Sequence, residues 1–161
     1  MKIFITGGVG FIGSHLCERL LKKKHEVISY DNFDPFYNEE FKLYNNAIIG
    51  AALNVCGKYI DFQYHLYRLI RGDILNFQYL EKLIKHYSPD VVIHLAALAG
   101  IRHSIQRPRD FVDVNINGTM SVLEACRIAE IKNVIFISSS SVYGNSNTIP
   151  YKEYDNVNKS E

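Results

Sequence analysis

The segment FITGGVGFIGSH, residues 4–15, contains two overlapping glycine patterns that are typical of phosphate-binding loops. Gly8, Gly10 and Gly13 fit the dinucleotide fingerprint GxGxxG, whereas Gly7, Gly10 and Gly13 fit the looser GxxGxxG. A loop of this kind between a strand and a helix presents backbone N–H groups and the positive end of the helix dipole to a pyrophosphate. A purely structural strand-to-helix turn is the alternative interpretation.

Asp31 adds a second feature of a dinucleotide site, because it follows the second apolar run of the chain. A carboxylate at this point accepts hydrogen bonds from the hydroxyls of an adenosine ribose, and it repels a 2′-phosphate. The sequence therefore predicts NAD rather than NADP as the cofactor, with an ordinary surface aspartate as the alternative.

Two further stretches place polar or small residues after apolar runs. Asp73 in RGDI can face a ligand, and it equally suits a turn that flanks a helix. In IHLAALAGIR the small residues Ala96 and Ala97 allow a cofactor to approach the backbone closely, although they also suit simple packing. His94 is interpreted as a core histidine with satisfied hydrogen bonds. Arg102 can meet a phosphate or a substrate carboxylate, or it can be solvated.

Ser138–Ser141 form an unbroken serine run at the end of another apolar stretch, in FISSSSVYG. With no histidine nearby and no GxSxG pattern, a nucleophilic triad is disfavoured. Hydrogen bonding to a substrate hydroxyl fits these residues better. The alternative is a polar loop in which the serine side chains bond the local backbone.

These candidates need parallel strands, because ligands of open α/β sheets bind beyond the carboxyl ends of the strands. Short apolar runs predict buried strands at Ile3–Thr6, Glu26–Tyr30, Tyr67–Ile70, Val91–Leu95 and Asn133–Ser138. Each candidate lies at or just after the end of one of these runs.

Helices are predicted between the strands. The first has one apolar and one polar side: Phe11, Ile12, Leu16, Leu20 and Leu21 against Ser14, His15, Glu18 and Arg19. A second helix begins after Asn76 as its cap and stops before Pro89, and a third runs from Pro108 to about Glu130. Residues 34–65, with an apolar patch at Ile48–Leu53, are expected to form a helix and a loop.

This order predicts the α/β class, a doubly wound parallel sheet of Rossmann type, in one domain over residues 1–161. The composition, 47% hydrophobic and 22% charged with a net charge of +1, disfavours nucleic-acid and membrane partners. Cys17, Cys56 and Cys126 form no CxxC pair, which favours a reducing, cytoplasmic location over disulfides or a metal site. Neither a secretion leader nor a long apolar span is recognised.

Six segments taken together resemble the extended short-chain dehydrogenase/reductase family: TGGVGFIG, DN at 31–32, GDI, HLAALAG, VNINGT and SSSSVYG. Within that family they are most similar to nucleotide-sugar 4-epimerases of the UDP-glucuronate and UDP-glucose type. The resemblance implies that GxxGxxG is the working glycine pattern. It covers the chain apart from residues 34–65.

The resemblance implies roles for the matching residues. Cofactor-binding residues would be Gly7, Gly10, Phe11, Ile12, Gly13, Asp31, Asn32, Asp73, Ile74, Leu95, Ala96, Ala97 and, as a brace, Asn115. Ser139 matches the catalytic Ser/Thr, Arg102 and Ser140 are candidate substrate contacts, and Tyr143 is not the catalytic tyrosine. No metal ligand is expected.

The implied reaction is transient oxidation at C4 of a UDP-sugar. A tyrosinate, favoured by a nearby lysine, removes the 4-hydroxyl proton while C4 passes a hydride to NAD; the keto sugar rotates and takes the hydride back on its other face. The required YxxxK does not occur in this sequence. We therefore expect an N-terminal, NAD-binding half that is inactive alone, lacks the substrate domain, and belongs to a parent homodimer.

Two alternatives remain at this point. In the related 4,6-dehydratases an Asp-Glu pair follows the catalytic Ser/Thr, whereas Ser140 and Ser141 stand there in this chain, which disfavours dehydration. A stand-alone NAD-binding module without catalysis is the other alternative.

Overall fold

The computed structural model describes residues 1–52, 63–144, 150–155 and 157. The strands of this part are β1 (Lys2–Thr6), β2 (Glu26–Asp31), β3 (Gln63–Tyr64), β4 (Tyr67–Arg71), β5 (Val91–His94) and β6 (Val134–Phe136). Its α-helices are α1 (Phe11–Lys22), α2 (Glu39–Ala52), α3 (Phe77–Tyr87), α4 (Ile101–Gln106), α5 (Pro108–Val112) and α6 (Thr119–Ile128). A π-helical segment, Asp113–Gly118, joins α5 to α6, and Ser140–Tyr143 form a 3₁₀ turn.

The strands form one sheet in the order β3-β4-β2-β1-β5-β6. All neighbours pair in parallel except β3, which runs antiparallel to β4 at the edge. The predicted doubly wound parallel sheet is confirmed. The short antiparallel edge strand β3 was not predicted.

Both faces of the sheet are covered, as alternation along β1 shows. Ile3 and Ile5 point to a core that includes residues of α1 and α2, while Phe4 points to a core that includes residues of α3 and α6. Successive side chains of a strand face opposite sides, so a strand between two helical layers is apolar throughout. This explains the unbroken apolar runs that predict the central strands β1, β2 and β5.

The capping prediction for α3 is confirmed. Asn76 accepts a hydrogen bond from the backbone N–H of Tyr79 at 3.2 Å, and Ser88 ends the helix in the left-handed region with φ 42°. Pro89 follows directly, and it cannot continue a helix.

The predicted faces of α1 are wrong in its first turn. Phe11 and Ile12 are 78% and 61% exposed, whereas Ser14 is buried. Ser14 Oγ donates to the carbonyl of Phe11 at 3.0 Å, which satisfies the hydroxyl inside the protein. Phe11 instead lines a cavity beyond the strands.

The region after β5 also differs from prediction. The helix α4 precedes Pro108, and the expected long helix is split into α5, the π-helical segment and α6, ending at Ile128. Pro108 has no N–H and starts a new helix at its first position. Strand β6 is shorter than predicted, and the prediction that it is buried is wrong, since Ile135 and Phe136 are 49% and 53% exposed.

The segment 34–65 contains α2 and the edge strand, in agreement with the expected helix. The end of its apolar patch, Leu53, and the cysteine at 56 lie outside the described residues.

Candidate functional site

A cavity of about 410 Å³ lies at the carboxyl ends of the parallel strands. It is lined by residues at or just after the ends of β1, β2, β4 and β5, among them Gly7, Asp31, Gly72 and Leu95. The predicted residues that line it are Gly7, Gly10, Phe11, Asp31, Asn32, Ile74, Leu95, Ala96 and Ala97. Four separate segments of the chain thus meet at one edge of the sheet.

The glycine loop is compact because its glycines contact one another. Gly7 has φ 70°, its N–H donates to the Tyr30 carbonyl at 2.8 Å, and its own carbonyl accepts from Gly10 N–H at 3.1 Å. A Cβ on Gly13 would collide with that same carbonyl oxygen. Gly7, Gly10 and Gly13 therefore act as one packed unit, and no side chain caps the N-terminus of α1 that follows.

Gly8 contacts a different part of the fold. A Cβ there would collide with Ser29 Oγ on β2, so this position has its own packing reason for glycine. The two glycine patterns overlap because glycine is required for two different contacts: Gly7 and Gly13 pack within the loop, and Gly8 packs against the sheet.

Asp31 is 5% exposed at the end of β2 and forms a close ion pair with Lys42 of α2. Its Oδ1 lies 2.8 Å from Lys42 Nζ and also accepts the Phe33 N–H at 2.9 Å. The sequence predicts Asp31 as a ligand-facing carboxylate; the structure adds a cation directly beside it.

Asp73 joins the ends of two strands. Its Oδ2 accepts from Asn32 Nδ2 at 3.0 Å, and its backbone carbonyl accepts from Tyr30 Oη at 2.9 Å. Burial, with smaller contributions from Asp73 and Tyr79, raises the pKa of Tyr30 above its usual range, so this cavity-lining phenol stays protonated. Asp73 itself does not line the cavity, whereas its neighbour Ile74 does.

The wall formed by Leu95–Leu98 is fixed at its start by Thr6. Thr6 Oγ1 accepts the backbone N–H groups of Leu95 and Ala96, each at 3.2 Å, and lies 2.6 Å from Nδ1 of buried His94. A Cβ on Gly7 would come within 2.8 Å of Ala96 N. The first turn after β1 and the wall after β5 thus pack directly together.

The hydrogen bonds of His94 define its protonation. The hydroxyl of Thr119 donates to the Asn115 carbonyl at 2.7 Å, so it can only accept from His94 Nε2 at 3.0 Å. Nε2 therefore carries the proton and Nδ1 accepts from Thr6. Burial lowers the pKa of His94 to about 4, which keeps the ring neutral. The prediction of a satisfied core histidine agrees with this geometry.

Asn115 fixes the other end of the wall. Its Oδ1 accepts the Leu98 N–H at 2.8 Å and its Nδ2 donates to the Leu98 carbonyl at 2.9 Å. Asn115 lies in the π-helical segment, a type of irregularity that is frequent at functional sites. The side chain braces the wall without lining the cavity.

The candidate residues outside the cavity lining are Ile12, Gly13, Asp73, Arg102, Asn115, Ser139 and Ser140. Arg102 is exposed on α4. Ser139 is exposed; its Oγ accepts the Ser141 N–H at 3.2 Å and donates to Ser141 Oγ at 3.1 Å. The structure thus brings nine of the thirteen dinucleotide candidates together at the cavity, and it leaves the catalytic and substrate candidates at the surface.

Sequence reasoning missed the contribution of α2. Lys42 and Asn45 line the cavity from this helix, and Asn45 Nδ2 donates to the Val9 carbonyl in the glycine loop at 2.9 Å. Phe36 lines the cavity as well, and its ring contacts those of His103 and Phe111 at centroid distances of 4.8 and 6.4 Å. Phe36, Lys42 and Asn45 belong to residues 34–65, and the sequence of that segment has no periodic pattern that could place them.

Among the described residues, no helix is both long and apolar enough to cross a membrane. Within the same residues, no cluster of three or more histidine, cysteine or acidic side chains could hold a metal ion.

Comparison with known proteins identifies the relatives of this fold. Residues 3–161 match the NAD dependent epimerase/dehydratase family. Protein CapI of Staphylococcus aureus is 40% identical over 157 residues, which cover 98% of this chain and 43% of that protein. A UDP-glucose 4-epimerase of Klebsiella pneumoniae is 36% identical over 153 residues, covering 95% of this chain and 99% of that sequence.

A solved structure gives the same result. UDP-glucose 4-epimerase from Stenotrophomonas maltophila, crystallised with NAD and formylated UDP-arabinopyranose, aligns with a TM-score of 0.79 and 28% identity, covering 96% of this chain and 41% of that one. The chain thus spans less than half the length of CapI and of this enzyme. The predicted cofactor, NAD, is the one named for the family. The chain belongs to the NAD dependent epimerase/dehydratase family.

Proposed function

We propose that this chain is the NAD-binding half of a nucleotide-sugar 4-epimerase of the UDP-glucuronate or UDP-glucose type. The observation that carries the proposal is the meeting of the glycine loop and Asp31 at one cavity beyond the strand ends. Relatives described as a UDP-glucose 4-epimerase and a probable UDP-glucuronate 4-epimerase, 36% and 30% identical, support the substrate class.

The residues present fit a dinucleotide. The uncapped N-terminus of α1 offers backbone N–H groups to a pyrophosphate, and close packing leaves no room for a side chain at Gly7 or Gly13. Asp31 would accept hydrogen bonds from the adenosine ribose through Oδ2, which has no hydrogen-bond partner among the described residues. The small side chains of Ala96 and Ala97 would let the cofactor lie close to the wall.

NAD, when bound, supplies the acceptor and donor of a hydride at the sugar C4. The chain's own share of that reaction is a site that binds and orients. Ser139 would donate a hydrogen bond to the sugar 4-oxygen and stabilise the charge that grows there, exchanging its present bond to Ser141 for one to substrate. No YxxxK occurs in the chain, so a base with a suitable pKa is missing and the chain alone is proposed to be inactive.

Two alternative functions can be distinguished from the proposed epimerase half. A 4,6-dehydratase would need acidic groups next to Ser139, and Ser140 and Ser141 cannot act as acid or base at neutral pH. A stand-alone NAD-binding module fits the same cavity. Reading the coding DNA beyond codon 161 for a YxxxK distinguishes an epimerase half from such a module.

The direct test combines binding with product analysis. Calorimetry should show NAD binding to this chain, with weaker binding of NADP because of Asp31. Incubation with NAD and either UDP-glucose or UDP-glucuronate should give no epimer by chromatography. Absence of NAD binding overturns the cofactor assignment, and formation of an epimer overturns the proposed inactivity. The cytoplasmic location and the homodimer of the parent protein stay predictions.

A further inference from the structure

The ion pair between Asp31 and Lys42 is nearly removed from solvent. The two side chains are 3% and 12% exposed, and their charged atoms are 2.8 Å apart. Lys42 Nζ also lies 6.0 Å from the centre of the Phe33 ring, which shields the ammonium from one side. With little water between or around them, the two charges interact strongly and salt screens them weakly.

The pair is only partly satisfied by the protein. Asp31 Oδ1 accepts two hydrogen bonds, from Lys42 and from the Phe33 N–H, while Oδ2 accepts none from the described residues. Lys42 Nζ makes a single hydrogen bond among those residues, so two of its three N–H donors are uncommitted. Both residues line the cavity. This corner of the cavity, formed by Asp31 and Lys42, therefore offers an acceptor and a donor side by side.

We propose that Lys42 determines how strictly this site distinguishes NAD from NADP. By neutralising Asp31, it weakens the repulsion that a lone carboxylate would exert on the 2′-phosphate of NADP. The inference rests on the proposed binding of a nicotinamide dinucleotide. It corrects the expectation from Asp31 alone: NAD remains preferred, by a smaller margin.

The charges at this corner support an effect of Lys42 on the binding of NADP. A phosphate monoester carries about −1.5 to −2 charges at neutral pH, so its binding depends steeply on the net charge of the corner. Asp31 alone contributes −1, whereas the ion pair contributes zero and adds free N–H donors. Asp34 is the third charged residue of the cavity lining; its Oδ1 accepts the Phe36 N–H at 2.8 Å, and its charge is the same in every variant considered below.

The experiment measures Kd for NAD and for NADP by calorimetry and compares their ratio across a charge series. Lys42→Met gives the pair a charge of −1, the wild type has zero, and Asp31→Asn gives +1. Relative to wild type, Lys42→Met should weaken NADP against NAD by about tenfold or more, and Asp31→Asn should shift the ratio the other way. Lys42→Arg keeps the charge and should keep the ratio within about threefold.

Two further variants protect the test against misfolding and non-specific charge effects. The double variant Asp31→Asn/Lys42→Met has no unpaired buried charge, and it should favour NADP about tenfold less than Asp31→Asn alone. Lys85→Met is the matched control, because Lys85 pairs with Glu81 on the exposed surface of α3 and should leave the ratio unchanged. Circular dichroism and thermal melts confirm that each variant is folded.

The outcomes separate this inference from the function on which it rests. If the wild type binds neither dinucleotide, both are overturned. If it binds NAD but the variants change both affinities by the same factor, the binding function stands and the role of Lys42 is wrong. A Lys85→Met effect as large as that of Lys42→Met also overturns the inference, because long-range charge would then explain it.

Discussion

The side chain of Asn115 makes both backbone hydrogen bonds of Leu98, accepting from its N–H at 2.8 Å and donating to its carbonyl at 2.9 Å. The side chain of Asn115 thus supplies to the loop residue Leu98 the two backbone hydrogen bonds that a neighbouring strand would make. Leu98 is 9% exposed, so its backbone groups have little access to water as a substitute. The cavity wall is held in one position because its polar groups have one good set of partners.

Asn115→Ala should therefore lower the free energy of unfolding by about 1–3 kcal/mol, since it leaves two backbone groups of a buried residue unpaired. It should also weaken NAD binding, because the wall loses its brace. Urea unfolding and calorimetry measure the two effects. Asn117→Ala is the control: Asn117 lies in the same segment and its side chain donates to Asp113 at the surface. Equal effects of the two substitutions would contradict the bracing role.

Gly13→Ala should disrupt the glycine loop. The added Cβ would overlap the Gly7 carbonyl oxygen and approach Gly8 Cα to 2.9 Å, and both are backbone atoms that cannot rotate away. We expect a loss of about 1–3 kcal/mol in unfolding free energy and weaker NAD binding. Thermal melts with and without NAD report both. Arg19→Ala, on the polar side of the same helix, should change neither; unchanged NAD binding in Gly13→Ala would show that loop packing is not required.

His94 should make stability depend on pH between about 4 and 6.5. Because the pKa of His94 is lowered from its ordinary value of 6.5 to about 4 in the folded state, the unfolded chain binds more protons in this range. Stability contributed by neutral His94 is thus present above pH 6.5 and is lost as pH falls towards 4, by about 3 kcal/mol in total.

The measurement is the unfolding free energy against pH for wild type and His94→Gln. The variant should be less stable at pH 7, because Thr6 and Thr119 lose an ideal partner, and its slope between pH 4 and 6.5 should be smaller. His86→Gln replaces an exposed histidine and should retain the wild-type slope. Parallel slopes for wild type and His94→Gln would refute the buried neutral histidine.

Ser139→Ala is predicted to lower turnover by about 10²–10³ in a version of the protein that carries the YxxxK, with NAD affinity nearly unchanged. The hydroxyl would stabilise charge that grows on the sugar oxygen only during the reaction, so substrate turnover and cofactor binding should respond differently. Ser138→Ala in the same serine run serves as the control. Wild-type turnover in Ser139→Ala would mean that the run is a polar turn, as its hydrogen bonds to Ser141 permit.

Local sequence signals determined much of this molecule. The apolar runs predict β1, β2, β4 and β5 because a strand covered on both faces has no polar side, and the Asn76 cap predicts where α3 begins. The glycine loop and Asp31 follow such runs directly, so their position at the strand ends could be read from the chain. Local signals failed in the first turn of α1, where Phe11 lines the cavity instead of the core, and in the predicted long helix after Pro108, which is split.

Tertiary structure alone decided the partners of these residues. Lys42 reaches Asp31 from α2, Asn115 reaches Leu98 from the π-helical segment, and Thr119 reaches His94 across 25 positions of the chain. Such pairs depend on how helices pack on the sheet, which neither periodicity nor spacing encodes. The sequence by itself therefore places a carboxylate at the end of a strand, while the fold decides that it is paired, because only packing brings a buried ammonium to within hydrogen-bond distance of it.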